Sequence, residues 1–490
     1  MLLLGLDIGT THIKAAVVNE NLELTALHIE DNNSVNIEGK GQVYLAEDLW
    51  SIALRCIKEA IKTINPLEIT AISVSSMAEA GVPLSADKQP LYPVIPWNDM
   101  RAKEQMDRLK KELGGYEIYK KTGLIAHPKH SIARLMWLRE NEKELYEKTE
   151  YWLSVGDYII FKLSGEIVTD STLACRTMLY NISEKAWDKD LVSYLGTKDI
   201  LPRVLEPGKP AGTLLKEIAE ETGISKATVI VAGAHDHICA AMALGIKDED
   251  EILDSMGTSE VFVGREDEPV LTEEFYNLGF NQGAFPGGGY YWMTSTPASG
   301  GSIEWLRKII SIDREIPYNF FDNGKKIDEL SKVIYMPYLS GSGTPHVDPL
   351  RRGCFIGLST DTDVFDLIKA IYEGVSYEGK WVIDTLERLK GKKINKIKAV
   401  GGSTKNSTWM KVKCNILNKK LLLSSMDEAS AVGAAVLAGI GIKALANIKN
   451  STALKQELNP DSELISLYEK GYERYKNKFE DIENVIRMEV

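Results

Sequence analysis

The chain has 490 residues, a formal net charge of −12, 44% hydrophobic residues and 26% charged residues. That length exceeds a single hydrophobic core and predicts two large domains. The acidity argues against non-specific nucleic-acid binding, and no 18-residue apolar span predicts a membrane helix. Five scattered cysteines, Cys56, Cys175, Cys239, Cys354 and Cys414, never form a CxxC pair, which predicts reduced thiols in a cytoplasm rather than a zinc site. The N-terminus reads directly into a strand, not as a signal peptide.

In chain order, Met1 to Leu6 is an apolar run of strand length, and Asp7, Gly9, Thr10 and Thr11 interrupt it before Ala15 to Val18 resumes. This predicts a β-hairpin with an acid and two hydroxyls at its tip. Gly9 lets backbone N–H groups approach an anion, Thr10 and Thr11 add donors, and Lys14 adds a charge. Asp7 beside a phosphate makes sense only with a divalent cation between them. The competing reading is an ordinary buried hairpin with a polar turn. Leu45 to Ile64 has helical spacing closed by Asn65-Pro66, and Ile69 to Val74 is a buried strand running into the small, polar segment Ser75 to Gly81. Ligands of α/β sheets sit at such strand ends.

Further on, Pro202 to Pro210 reads as a Pro/Gly-rich loop and Leu214 to Thr222 as an amphipathic helix. Val229 to Ala232 is a buried strand ending in Gly233, Ala234, His235, Asp236 and His237. Asp236, after a glycine at a strand's carboxyl end, can reach into a cleft as a general base. His235 and His237 invite a metal reading, but lack an obvious third ligand. Residues 251 to 264 repeat the first hairpin, with Gly257, Thr258 and Ser259 aligned to Gly9, Thr10 and Thr11 and Asp254 one position early. Thr296 to Arg307 is a loop leading into a helix start, which favours anions. Ile397 to Val400 is a strand leading to Gly401 and Gly402, and Glu428 to Gly439 is a small-residue helix suited to close packing. Residues 441 to 490 read as charged helices.

Two such hairpins, one per half, suggest a duplicated fold clamping a phosphate. With these motifs in this order, residues 1 to about 440 resemble the FGGY family of carbohydrate kinases, which includes glycerol kinase and xylulokinase, within the actin-like ATPase superfamily. Gly353 to Glu373 fulfils the family's second signature. The resemblance implies an α/β fold of two ribonuclease-H-like domains with a cleft between them: 1–245 for sugar and the first phosphate hairpin, 246–440 for ATP, and 441–490 as a C-terminal helical extension. It implies transfer of the γ-phosphate of ATP to a small sugar or polyol, with Asp236 as catalytic base. Mg²⁺ would be reached by Asp7 and Asp236 through water.

Carried over residue by residue, the resemblance assigns ATP to Gly9, Thr10, Thr11, Lys14, Gly257, Thr258, Gly300, Glu304, Gly401, Gly402 and Asn406, whose amide would offer a donor and an acceptor to the base. It assigns the sugar to Met77, Ala78, Glu79, Trp97, Asp99, Lys129, Asp236 and His237. Asp157, Asp170, Arg176 and Thr177 belong to a shared stretch read as scaffold. Ala78 replaces a larger polar residue, Arg134 replaces Lys, and Lys129 stands where an aromatic or small residue is expected. Ser342-Gly343 replaces a Glu-Arg pair. A xylulokinase-like pentulose, hexulose or polyol substrate is the first choice. Lys129 would suit an aldonate, although Glu79 would repel a carboxylate. An actin- or chaperone-like ATPase without a sugar substrate is the alternative from another class. No nucleic-acid or membrane partner is expected, and a homodimer is left open.

Overall fold

The computed structural model describes residues 1–196, 198–311, 316–317, 320, 327–445 and 454–488. Two mixed sheets organise it. The first runs Pro210–Thr213, Val229–His235, Ile69–Ser76, Leu2–Ile8, His12–Asn19, Leu24–Asp31. The second runs Asn281–Ala284, Tyr290–Met293, Glu260–Glu266, Glu251–Met256, Lys396–Val400, Lys420–Ser424, Leu454–Leu458. In each, a hairpin strand pairs antiparallel on one side and parallel on the other: Leu2–Ile8 with Ile69–Ser76, and Glu251–Met256 with Lys396–Val400. The second sheet thus repeats the first, as the two hairpin motifs predict.

Each sheet packs one face on its own helices. Leu49, Trp50, Ala53, Cys56, Ile57 and Ala60 recur at helical spacing on helix Ala46–Ala60 and are buried under the first sheet. The long helix Val364–Lys390 starts with a capping box between Asp363 and Asp366 and stops at Gly391, which takes the left-handed conformation. Its buried face lies in the core of the second half.

Between the sheets lie two helices, Asp236–Ala243 and Ala429–Gly441, one from each half of the chain. Leu3 and Val231 of the first sheet and Leu253 and Val263 of the second share a core with them. Their small residues allow backbone-to-backbone approach: a Cβ on Gly433 would lie 1.8 Å from the Cys239 carbonyl oxygen, and one on Gly5 1.9 Å from that of Ala431.

Two expectations need correction. The segment from Pro202 to Pro210 is not all loop, because Arg203–Leu205 pairs parallel with Val168–Asp170. The last fifty residues are not all helical: Leu454–Leu458 adds an exposed edge strand to the second sheet. Its sequence, Leu-Lys-Gln-Glu-Leu, has none of the β-branched pattern that announces a strand. Helix Ser462–Ile482 does form, and it buries Tyr468, Tyr472, Tyr475 and Phe479 in the core of the second half. Residues 446–453 and 489–490 of that segment lie outside the described residues. No described helix is long and apolar enough to cross a membrane.

Candidate active site

The antiparallel register sets Asp7 opposite Lys14, and the parallel neighbour sets Ser75 beside Asp7. Ser75 Oγ donates to Asp7 Oδ1 at 3.0 Å, and Lys14 Nζ stands 3.8 Å from Asp7 Oδ2. Burial pushes the Asp7 carboxyl up to about 7 despite Lys14. Lys14 is also 2.5 Å from Glu428 Oε2, at the start of helix Ala429–Gly441. Glu428 therefore reaches the first hairpin from the other half, a contact its position in a small-residue stretch did not announce. At the tip, Gly9 N–H donates to the His12 carbonyl at 3.0 Å, Trp97 Nε1 donates to Thr10 Oγ1 at 3.3 Å, and Met77 N–H donates to the Ile8 carbonyl at 2.9 Å. Thr11 Oγ1 lies 3.0 Å from His12 Nδ1. Trp97 is 44% exposed beside the hairpin, whereas Met77 and Ala78 are buried.

Glu79 has φ +58°, a left-handed conformation held by the buried Arg134, which donates to the carbonyls of Glu79, Ile95 (2.7 Å) and Pro96. Arg134, at the position where the family pattern has Lys, thus fixes the backbone at Glu79, Ile95 and Pro96 through its guanidinium fork. Oε1 of Glu79 accepts from Arg176 Nε at 2.8 Å and from Arg176 Nη2, and lies 3.3 Å from Lys129 Nζ. Burial works against ionisation there, but Arg176 and then Lys129 hold the carboxyl well below its usual range. Lys129 thus points at Glu79 rather than at solvent. Arg176, expected as scaffold, belongs to the cluster. It is delivered by the short helix Ser171–Arg176, which Asp170 caps by accepting from Thr172 and Leu173 N–H.

Asp236 opens helix Asp236–Ala243 at the end of strand Val229–His235, its side chain partly exposed. His235 Nε2 lies 3.0 Å from Asp236 Oδ1, and His237 N–H donates to the same oxygen at 2.6 Å. Burial would raise the carboxyl, but the two imidazoles and that N–H hold it below its usual range. The backbone N–H of His235 donates in turn to Thr172 Oγ1 at 2.9 Å. A carboxylate so fixed stays ionised and can accept a hydrogen bond from an acceptor hydroxyl.

Asp99 does not offer a free carboxylate. Arg101 takes both of its oxygens, with Nε at 2.9 Å from Oδ1 and Nη2 at 2.7 Å from Oδ2. The i, i+2 spacing in the Trp97–Arg101 element makes that fork geometrically easy.

In the second half, a cleft of about 610 Å³ is lined by Gly257, Thr258, Gly300, Glu304 and Gly402, all assigned to nucleotide from the sequence. Met256, Gly301, Trp305, Lys308 and Ser403 line it too, unforeseen because their contribution depends on the turn of helix Gly300–Ile310. Gly300 and Gly301 donate to the carbonyls of Gly257 and Thr258 at 3.1 and 2.9 Å, locking the hairpin tip to the helix N-terminus. Glu304 is gripped by Arg307 at 2.7 and 2.8 Å. Gly401 has φ +105° and would place a Cβ 2.4 Å from the Met256 carbonyl, so it shapes the cleft from behind. Asn406 has partners within the protein. It is buried, its Oδ1 accepts from Trp409 N–H at 2.8 Å as a helix cap, and its Nδ2 donates to Tyr372 at 2.7 Å. An Asn before a helix can cap it, and Asn406 does so here. Asp254, one place early in the hairpin repeat, is likewise interior. Lys413 Nζ is 2.6 Å from its Oδ2 and 2.5 Å from Glu260 Oε1.

Two family models match the chain, the N-terminal domain of the FGGY family of carbohydrate kinases over residues 2–243 and the C-terminal domain of the same family over residues 253–442. The glycerol kinase of Thermococcus kodakarensis is 30% identical over 460 residues, 90% of this chain and 88% of that one. The chain belongs to the FGGY family of carbohydrate kinases. The xylulose kinase of Staphylococcus xylosus is 28% identical over 442 residues, covering 89% of this chain and 90% of its own. A ligand-bound xylulose kinase from Lactobacillus acidophilus superposes with a TM-score of 0.90 at 24% identity over 99% of both chains, so the fold is the two-domain actin-like ATPase fold of these kinases. As an FGGY kinase, the protein is a phosphotransferase with an alcohol group as acceptor and ATP as phosphoryl donor.

Proposed function

We propose that the protein phosphorylates a small neutral ketose of the xylulose type, held in the first half, with ATP held in the second. The observation that carries this reading is the cluster at the end of the first sheet. An ionised Asp236 is fixed for a substrate hydroxyl, and Glu79 is fixed by Arg176, Lys129 and Arg134. Oε2 of Glu79 is left to accept from substrate hydroxyls. The relatives with xylulose kinase in their names support a ketopentose.

The chain divides into a sugar half at 1–245, a nucleotide half at 246–440 and a C-terminal extension. Thr10, Lys14, Gly257 and Thr258 hold the transferring phosphates. Asp7 and Asp236 fit a divalent cation: a buried carboxyl pushed up to about 7 beside a second carboxylate is relieved by a nearby positive ion. Mg²⁺ there would neutralise charge on the phosphates. Five free cysteines fit a reducing compartment.

One observation favours an aldonate as the second reading. Lys129 brings a second positive charge beside Arg176 to the single carboxylate of Glu79, so a substrate carboxylate near Lys129 would have a cation to meet. ADP release across D-xylulose, D-ribulose, D-fructose, glycerol, xylitol and D-gluconate separates the readings. A ketopentose is expected to show the highest kcat/KM. A panel led by gluconate would replace the first reading with the second, and ADP release independent of any sugar would remove both.

A further inference from the structure

Strand alternation along Glu251–Met256 puts Asp254 and Met256 on one face, and the antiparallel register sets Phe262 opposite Asp254 and Glu260 opposite Met256. Lys413, from helix Ser407–Leu417, reaches that face. Lys413 and Asp254 are 0% exposed and Glu260 1%. The ammonium spends its donors on Asp254 Oδ2 at 2.6 Å, Glu260 Oε1 at 2.5 Å and Met256 Sδ at 3.5 Å, and it stands 5.3 Å from the centre of the Phe262 ring. Two carboxylates thus share one ammonium, and Asp254 Oδ1 has no hydrogen-bond partner among the described residues. Replacing such a buried ionic set by apolar side chains of similar volume is often neutral or stabilising, so stability does not account for this one.

What the set does is connect. Glu260 uses its other oxygen, Oε2, to accept from Ser299 Oγ at 2.9 Å. Ser299 precedes helix Gly300–Ile310, and its N–H donates to the Thr258 carbonyl at 2.9 Å. Lys413 itself stands in the helix that Asn406 caps, directly after the turn Gly402–Lys405. The hairpin tip at Gly257 and Thr258, the start of helix Gly300–Ile310 and the turn at Gly402 and Ser403 are the walls of the 610 Å³ cleft. They meet without slack: a Cβ on Gly300 would lie 2.6 Å from both the Gly257 carbonyl oxygen and Ser403 Oγ.

We propose that Lys413 is a positioning residue for the nucleotide. From outside the cleft it holds the three walls in one register, through Glu260 and Ser299 to the helix start and through its own helix to the Gly402 turn. That role presupposes the ATP site proposed above. Its effect is selective, because Glu79 and Asp236 follow strands of the other sheet: ATP affinity depends on the network and sugar affinity does not.

The test uses the full-length enzyme and a non-hydrolysable ATP analogue. Lys413→Met alone strands two buried carboxylates and reports on stability rather than position. The informative variant removes the whole set: Lys413→Met, Asp254→Val, Glu260→Met and Ser299→Ala. Its apolar side chains should keep the melting temperature at or above that of the wild type. Calorimetry should nevertheless show the analogue bound roughly tenfold more weakly, with sugar affinity unmoved. Glu260→Gln, which keeps hydrogen-bonding atoms for both Lys413 and Ser299, should bind the analogue as the wild type does. Gly402→Leu places its side chain in open cleft space and should abolish analogue binding. Wild-type ATP affinity in the folded apolar variant, or loss of ATP and sugar affinity by the same factor, would overturn the role of Lys413. Should the apolar variant not fold, Ser299→Ala alone cuts the same path at one hydroxyl and decides on the same readings. Analogue binding that survives Gly402→Leu would remove the ATP site itself, and the role of Lys413 with it.

Discussion

A single oxygen, Oε1 of Glu79, takes the contacts from Arg176 and Lys129, and the proposed function gives the second oxygen to substrate hydroxyls. Glu79→Gln should therefore weaken a neutral sugar by about ten- to a hundredfold while leaving ATP affinity unchanged, as kcat/KM and equilibrium binding would show. Lys129→Met should matter most to an aldonate. A Lys129 variant that abolishes gluconate turnover beside an indifferent Glu79 variant would reverse that ranking.

Asp7 offers a second test at this scale. Its carboxyl is raised by burial to about 7, so between its ordinary value and 7 the folded protein holds a proton that the unfolded chain has released. Its contribution to stability is accordingly lost as pH rises through that window. Asp7→Asn should melt at a higher temperature than the wild type at pH 8 without metal, and the gap should close toward pH 5. Added Mg²⁺ and ADP should stabilise the wild type more than the variant. A gap independent of pH would show that the Asp7 carboxyl is not strained by burial.

The central helices show which elements were legible in the sequence and why. The strand-end motifs were, because a buried apolar run followed by Asp, Gly and Thr admits few structures. Small residues from Glu428 to Gly439 announced close packing, and the structure places Gly433 against Cys239. Roles set by tertiary neighbours were not legible. Glu428 meets Lys14 only because a helix from the second half lies on the first sheet, and Arg176 meets Glu79 across 97 positions of chain. Short-range partners were not foreseen either: the Trp409 N–H bonds Asn406 and Arg101 bonds Asp99. Gly433→Val puts a branched side chain 1.8 Å from a carbonyl oxygen and should destabilise the protein by at least about 1–3 kcal/mol in denaturant unfolding, because the helices must separate. A neutral result would mean that the helix pair slides without cost.

At the scale of the whole molecule, two sheets of like topology are joined through two helices, and the proposed function puts acceptor on the first and nucleotide on the second. Closure of such bodies around ligands excludes water that would otherwise take the phosphate. Sugar with a non-hydrolysable ATP analogue should reduce the radius of gyration in solution scattering; an unchanged profile with both sites filled would mean a preformed cleft. The central claim is that the acceptor hydroxyl and the γ-phosphate meet at Asp236. The direct measurement is ATP-dependent phosphorylation of D-xylulose by Asp236→Asn, with binding of sugar and nucleotide measured on the same preparation. The account predicts both ligands bound and turnover reduced by ~10²–10⁴-fold. Near-normal turnover with both ligands bound would contradict it.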